Sequence, residues 1–188
     1  MRRGYLPERE YNAGMKAVIL YRSKYGSTRQ YAEWIAEDLG ADIFSVGEFP
    51  PEKLTGYDTV IIGGYLRMGK IIGADFLISN WPVLQSKKVV LFSVAGAPAN
   101  SPERARWFEN TIPASIREKV THVPLQGRAM KLSPMDRLLV SVPGMVSRLK
   151  YLLRPGTGNK PASRSFKPFD GVKRESIGPL VGSMRNLP

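Results

Sequence analysis

The chain contains no cysteine and a single histidine, His122. Without a thiol there is no disulfide, no thiolate nucleophile, no cysteine-ligated zinc and no cysteine-ligated iron–sulfur cluster. One histidine cannot build a multi-histidine metal centre, so no metal site is expected. Redox chemistry in such a chain has to be borrowed from an organic cofactor. No run of 18 apolar residues occurs, so no spanning helix is expected. The opening segment MRRGYLPEREYNAG lacks the apolar centre of a secretory leader, which points to the cytoplasm. The first strand is followed by neither Gly-x-Gly-x-x-Gly nor Gly-Lys-Ser/Thr, the dinucleotide and Walker phosphate signatures.

What is present is an ordinary globular composition, 43% hydrophobic over 188 residues, enough for one domain with a real core. The formal net charge is +12. Such an excess suits an acidic partner: an anionic membrane, nucleic acid, or a ligand carrying phosphate or carboxylate.

Apolar runs alternate with helical patterns. Lys16–Tyr21 (KAVILY), Ala41–Val46, Thr59–Ile62 (TVII), Lys88–Val94 (KVVLFSV) and Val120–Leu125 read as strands; the continuous runs suit strands buried on both faces. Thr28, Tyr31, Ala32, Ile35, Ala36 and Leu39 recur at helical spacing, and Gly40 ends that helix. Ala74–Trp81 reads as a helix stopped by Pro82. Ser101-Pro102-Glu103 reads as a capped helix start, and a last helix is expected from Asp170 to about Met184. Strands alternating with helices predict a doubly wound parallel sheet. Ligands in such sheets bind beyond the carboxyl ends of the strands, so the turns after strands one, three and four are the candidate site.

Ser23-Lys24-Tyr25-Gly26-Ser27-Thr28 leads from the first strand into a helix. Backbone N–H groups at a helix N-terminus, a glycine allowing close approach, and three hydroxyls suit a phosphate. The same residues also suit a helix cap with no ligand. Gly63-Gly64-Tyr65-Leu66-Arg67-Met68-Gly69-Lys70 and Ala95-Gly96-Ala97-Pro98 follow strands three and four. Their small residues permit close backbone approach to the polar edge of a planar ring, and Tyr65, Leu66 or Met68 can wall it. Arg67 would stabilise negative charge on such a ring. Glycines also end strands where no ligand binds.

Tyr21–Thr28 resembles the phosphate loop of the flavodoxins, Ser/Thr-x-x-Gly-x-Thr, through Ser23, Gly26 and Thr28. Ile61–Gly69 resembles the third-strand segment of the menaquinone-dependent protoporphyrinogen IX dehydrogenases, Val-Ile-Gly-Ala-Ser-Ile-Arg-Tyr-Gly, through Gly63, Arg67 and Gly69. Arg128 with Met135-Asp136-Arg137 resembles that family's Arg and Tyr-Asp-Arg. The resemblance implies a flavodoxin-like sheet of five parallel strands in the order 2-1-3-4-5, bound FMN, and oxidation of a porphyrinogen with a quinone acceptor. On that reading residues 1–14 are an N-terminal extension and 15–188 one domain, with an insertion at about 128–168. Arg67 and Arg128, with Lys131, would lie near the flavin or substrate carboxylates. The chain departs from the family at Met68, at Pro143-Gly144 and in the Pro/Gly/Ser/basic stretch 154–168. An electron carrier between proteins is the alternative, although carriers of this kind tend to be acidic; a flavin-free assembly domain is a third.

Residues 128–175 hold eleven basic and three acidic side chains, a net +8, interleaved with apolar residues from Leu138 to Leu153. Basic and apolar faces together suit a peripheral membrane contact, a partner protein, or packing on the domain or across an oligomer. No nucleic-acid motif accompanies the charge. His122, Trp34, Trp81 and Trp107 read as structural.

Overall fold

The computed structural model describes residues 16–129 and 168–185. They fall into two units: one ends at Gly127 and resumes at Gly171, the other spans Arg128–Asp170. In the first unit the strands are β1 (Ala17–Tyr21), β2 (Asp42–Ser45), β3 (Thr59–Arg67), β4 (Lys70–Ile72), β5 (Lys88–Ala95) and β6 (Val120–Gln126). Its helices are α1 (Ser27–Leu39), α2 (Ala74–Ser79), α3 (Trp81–Leu84), α4 (Glu103–Thr111), α5 (Ala114–Arg117) and α6 (Gly178–Arg185). Five strands pair in parallel in the order β2-β1-β3-β5-β6, the arrangement expected from the sequence.

The central strands are apolar on both faces because helices cover both. Val18, Leu20, Val60, Ile62 and Leu91 face α2, α3 and α5 through Phe76, Leu77, Leu84 and Ile116. Ile19, Ile61, Val90 and Phe92 face α1 and α6 through Tyr31, Ile35, Leu180 and Met184. Each fully buried large side chain contributes roughly 1.5–3 kcal/mol by leaving water. Tyr31 also pins the returning chain: its hydroxyl donates to the Gln126 carbonyl at 2.8 Å and accepts the Lys173 N–H at 3.2 Å.

Four local expectations are corrected. The segment after Ile62 is not a loop: β3 runs on to Arg67 and turns back as β4, a sixth, antiparallel strand, pairing Tyr65 with Ile72 and Arg67 with Lys70. Pairing within the hairpin satisfies backbone groups that would otherwise project bare beyond the parallel sheet. Gly64, Tyr65, Leu66 and Arg67 therefore belong to a strand, and only Met68-Gly69 forms a turn. Second, Pro82 does not stop the helix. The break is at Asn80, whose side chain donates to the Phe76 carbonyl at 2.8 Å, and Pro82 lies in the first turn of α3, where a missing N–H is harmless. Third, the Ser101 hydroxyl does not cap backbone: it donates to the Glu103 carboxylate at 2.6 Å. Fourth, the last helix begins at Gly178, after a short 3-10 turn at Arg174–Ile177. Asp170 lies instead in the second unit.

Among the described residues no helix is long and apolar enough to cross a membrane. The described part of the second unit is β7 (Arg128–Ala129) paired antiparallel with β8 (Phe169–Asp170). The apolar–basic stretch expected to meet a membrane or partner, and Lys131, Met135, Asp136 and Arg137, lie outside the described residues.

Candidate functional site

Three segments meet at the carboxyl edge of the parallel sheet, as the winding dictates. The Arg22 N–H donates to the Gly63 carbonyl at 2.8 Å, joining the β1–α1 loop to β3. A Cβ built on Gly127 would lie 3.6 Å from Ser27 Oγ, and the Gly127 N–H donates to the Ala95 carbonyl at 2.8 Å. Loop β1–α1, the β3–β4 hairpin and the segment after β5 thus share one edge.

In the first loop, Gly26 takes the left-handed conformation (φ 84°) immediately before α1. A Cβ there would meet nothing within 4 Å, so the loop is open on that side. The Gly26 N–H donates to Ser23 Oγ at 3.1 Å, which leaves the Ser23 hydroxyl proton free to donate elsewhere. The first helical hydrogen bond is Gln30 N–H to the Gly26 carbonyl, so the amides of Thr28 and Arg29 precede any carbonyl they could take within the helix. A helix N-terminus with these amides and a positive macrodipole end is an anion site in its chemistry. Ser27 and Thr28 are buried, Thr28 to 1% exposure, while Lys24 and Tyr25 are exposed, with the ammonium 5.3 Å from the Tyr25 ring centroid.

The hairpin turns on two residues of positive φ, Met68 at 50° and Gly69 at 76°, a two-residue turn of primed type. A methionine in this conformation is strained, and it is also 78% exposed. The pleat places Tyr65 and Arg67 on the same strand face as Ile61 and Gly63, the side covered by α1. Gly63 and Gly64 have packing reasons of their own: a Cβ at Gly63 would overlap the Phe92 ring, and one at Gly64 would lie 2.5 Å from the Ile72 carbonyl oxygen. After β5, Ala95 is buried, Gly96 exposed and Ala97 half-buried.

Two features here escaped the sequence reading. Arg104, on α4, is 3% exposed, and its guanidinium donates to the carbonyls of Ser93, Ala95, Ala97, Pro98 and Leu125. Burial pulls its pKa down to about 10, with Tyr31 acting in the opposite direction, so it stays cationic at neutral pH. Trp107, one turn along α4, packs beside the hairpin tip, its Cδ1 4.0 Å from where a Gly69 Cβ would sit. His122 is structural, as expected: its Nε2 lies 2.8 Å from Ser93 Oγ, and its ring stacks on Phe108 at 4.3 Å.

Arg128 belongs to the second unit, where its guanidinium lies 3.7 Å from the Asp170 carboxylate across β7 and β8. The segments that follow strands one, three and four of the parallel sheet thus end at one edge of it.

Residues 18–145 match the flavodoxin domain family. The chain is 34% identical over 85 residues to an uncharacterized protein of Methanocaldococcus jannaschii, covering 45% of this chain and 57% of that protein. It is 30% identical over 97 residues to the protoporphyrinogen IX dehydrogenase [quinone] of Escherichia coli K12, covering 48% and 53% respectively. The chain thus spans little more than half the length of these curated relatives. Among solved structures it is similar to oxidised Flavodoxin 1 of Bacillus cereus (19% identity, 65% of this chain and 88% of that one, TM-score 0.44). It is also similar to the Trp repressor binding protein of Bacillus subtilis (12% identity, 60% and 85%, TM-score 0.47).

Proposed function

This chain belongs to the flavodoxin domain family, and from that premise we propose that it binds FMN at the carboxyl edge of its sheet and works as an oxidoreductase. The observation that carries the reading is the β1–α1 loop: an open left-handed Gly26 ahead of a helix in which the Thr28 and Arg29 amides precede any carbonyl they could take within it. That is a cradle for a phosphate monoester, and the fit is good.

When bound, FMN supplies one- and two-electron redox chemistry that no side chain here can provide. The amides of Thr28 and Arg29 and the Ser23 hydroxyl would donate to the phosphate, and Lys24 would add a positive charge. Tyr65, Leu66 and Met68 from the hairpin would supply apolar surface for the ring, and Ala95-Gly96-Ala97 close backbone approach. Arg67 would supply positive charge against the negative charge that reduction puts on the ring.

The named relative in Escherichia coli extends the reading to its substrate class. We take a reduced tetrapyrrole as the electron donor and a quinone as the acceptor, with Arg67 as the partner for a substrate carboxylate. The Met68 position, the tip of a hairpin rather than a loop, is where substrate selection would be felt first.

The test is direct. Purified protein is titrated with FMN and followed by flavin fluorescence; binding at micromolar concentration or tighter is expected. Anaerobic protoporphyrinogen with a menaquinone analogue should then yield porphyrin fluorescence above the enzyme-free rate. Reduction of the bound flavin by a protein donor with no porphyrinogen turnover would transfer the protein to the carriers. Failure to bind FMN would leave an assembly domain.

A further inference from the structure

We propose that Arg104 is the positioning residue of the segment Ala95–Pro98, which faces the ring in the function proposed above. Its guanidinium is enclosed by protein and gathers carbonyl oxygens from β5, from the turn after it and from β6. Ala95 is held at 3.3 Å, Leu125 at 2.9 Å and Pro98 at 3.3 Å, with Ala97 in closer contact. Five donors in a planar fork suit this task, and a lysine's single point charge does not.

The consequence for the loop follows from peptide geometry. In a trans peptide the C=O and the following N–H point in opposite directions. Drawing the Ala95 carbonyl toward Arg104 turns the Gly96 N–H away from it, and drawing the Pro98 carbonyl inward does the same for the Ala99 N–H. Gly96 and Ala99 are both exposed. Arg104 therefore aims two donors outward at the sheet edge, where the polar rim of a flavin would accept them. No side chain from Ala95 to Ala99 could do this, because Ala95, Gly96, Ala97, Pro98 and Ala99 carry no polar groups.

The same helix braces the opposite wall. The Arg104 guanidinium carbon lies 5.7 Å from the Trp107 ring centroid, and Trp107 packs beside the hairpin tip. One turn further, the Thr111 hydroxyl accepts the Ile71 N–H of β4 at 3.0 Å and donates to the Trp107 carbonyl at 2.6 Å. Positions 104, 107 and 111 lie on one face of α4. The hairpin and the segment after β5 are thus both tied to a single helix, and Arg104 holds the second of them.

The experiment is amide hydrogen exchange by NMR on the apoprotein, wild type against Arg104→Lys and Arg104→Met. Two reporter amides are tied to carbonyls that Arg104 holds: Gly127 N–H on Ala95 and Ser101 N–H on Pro98. Exchange at least tenfold faster at Gly127 and Ser101, with β1 and β3 still protected, is the expected result. Unchanged exchange at those two amides, or protection lost evenly over the sheet, would overturn the proposal. If Arg104→Met does not fold, Arg104→Lys, which keeps the charge, carries the test alone. In ligand binding, Arg104→Lys should weaken FMN and riboflavin by the same factor, tenfold or more, because the loop meets the ring and not the phosphate. A loss confined to FMN would count against it. Failure of wild type to bind FMN would refute the flavin reading while leaving the exchange result to judge Arg104.

Discussion

Ser93 Oγ and His122 Nε2 lie 2.8 Å apart between β5 and β6, with the imidazole stacked flat on Phe108 of α4. Burial, helped by the Arg104 charge, drives the His122 pKa down to about 4. A solvated histidine titrates near 6.5. Between these values the unfolded chain binds a proton that the folded protein refuses, so stability rises with pH through this window. Above about pH 6.5 both states are neutral and the dependence ends.

Urea unfolding should therefore show stability falling from pH 6.5 to pH 4, with up to about 3 kcal/mol due to His122. His122→Asn keeps a polar partner for Ser93 and removes the titration. The difference between wild type and variant should shrink as the pH drops. A difference independent of pH would refute the assignment.

Gly26→Ala should separate ligand binding from stability. Alanine at φ 84° costs roughly 1–2 kcal/mol in backbone strain, and nothing obstructs its Cβ. Gly40→Ala, at the other end of α1 with φ 59°, should cost a similar amount. Thermal unfolding should drop in both, whereas FMN affinity should fall at least tenfold only in Gly26→Ala. Equal affinities in the two variants would contradict a phosphate at the β1–α1 loop.

Met68 is held at positive φ in spite of its side chain. Met68→Asn should raise the stability of the fold by about 0.5–1 kcal/mol, because asparagine tolerates this conformation better. It should also weaken flavin or substrate binding by removing an apolar wall. A variant more stable and equally tight in binding would show that the methionine has no part in the site.

Arg67→Gln should lower the reduction potential of bound flavin by about 30 mV or more, the two-electron equivalent of a tenfold change. Spectroelectrochemical titration reads this directly. An unchanged potential would place the Arg67 charge away from the ring.

The parallel sheet was legible because strands buried on both faces are continuous apolar runs, and KAVILY, TVII and KVVLFSV are runs of that kind. The start of α1 was legible because Gly26 and the apolar residues recurring at helical spacing from Thr28 to Leu39 mark the entry to a helix. The hairpin was not. β4 is only three residues long, and its turn uses methionine where asparagine or glycine would have announced it. Arg104 left no sequence signal either: an arginine near the start of a helix reads as solvated, and its partners are backbone carbonyls, which any residue supplies. Gly63 and Gly64 were read as room for a planar ring, but the Phe92 ring and the Ile72 carbonyl already account for them.

The phosphate grip is tested most directly by comparing FMN with riboflavin in one fluorescence titration series on the wild-type protein. The account predicts FMN bound at least a hundredfold more tightly, since the two ligands differ only in the group that the first-turn amides of α1 would hold. Equal affinity for both, or binding of neither, would contradict it.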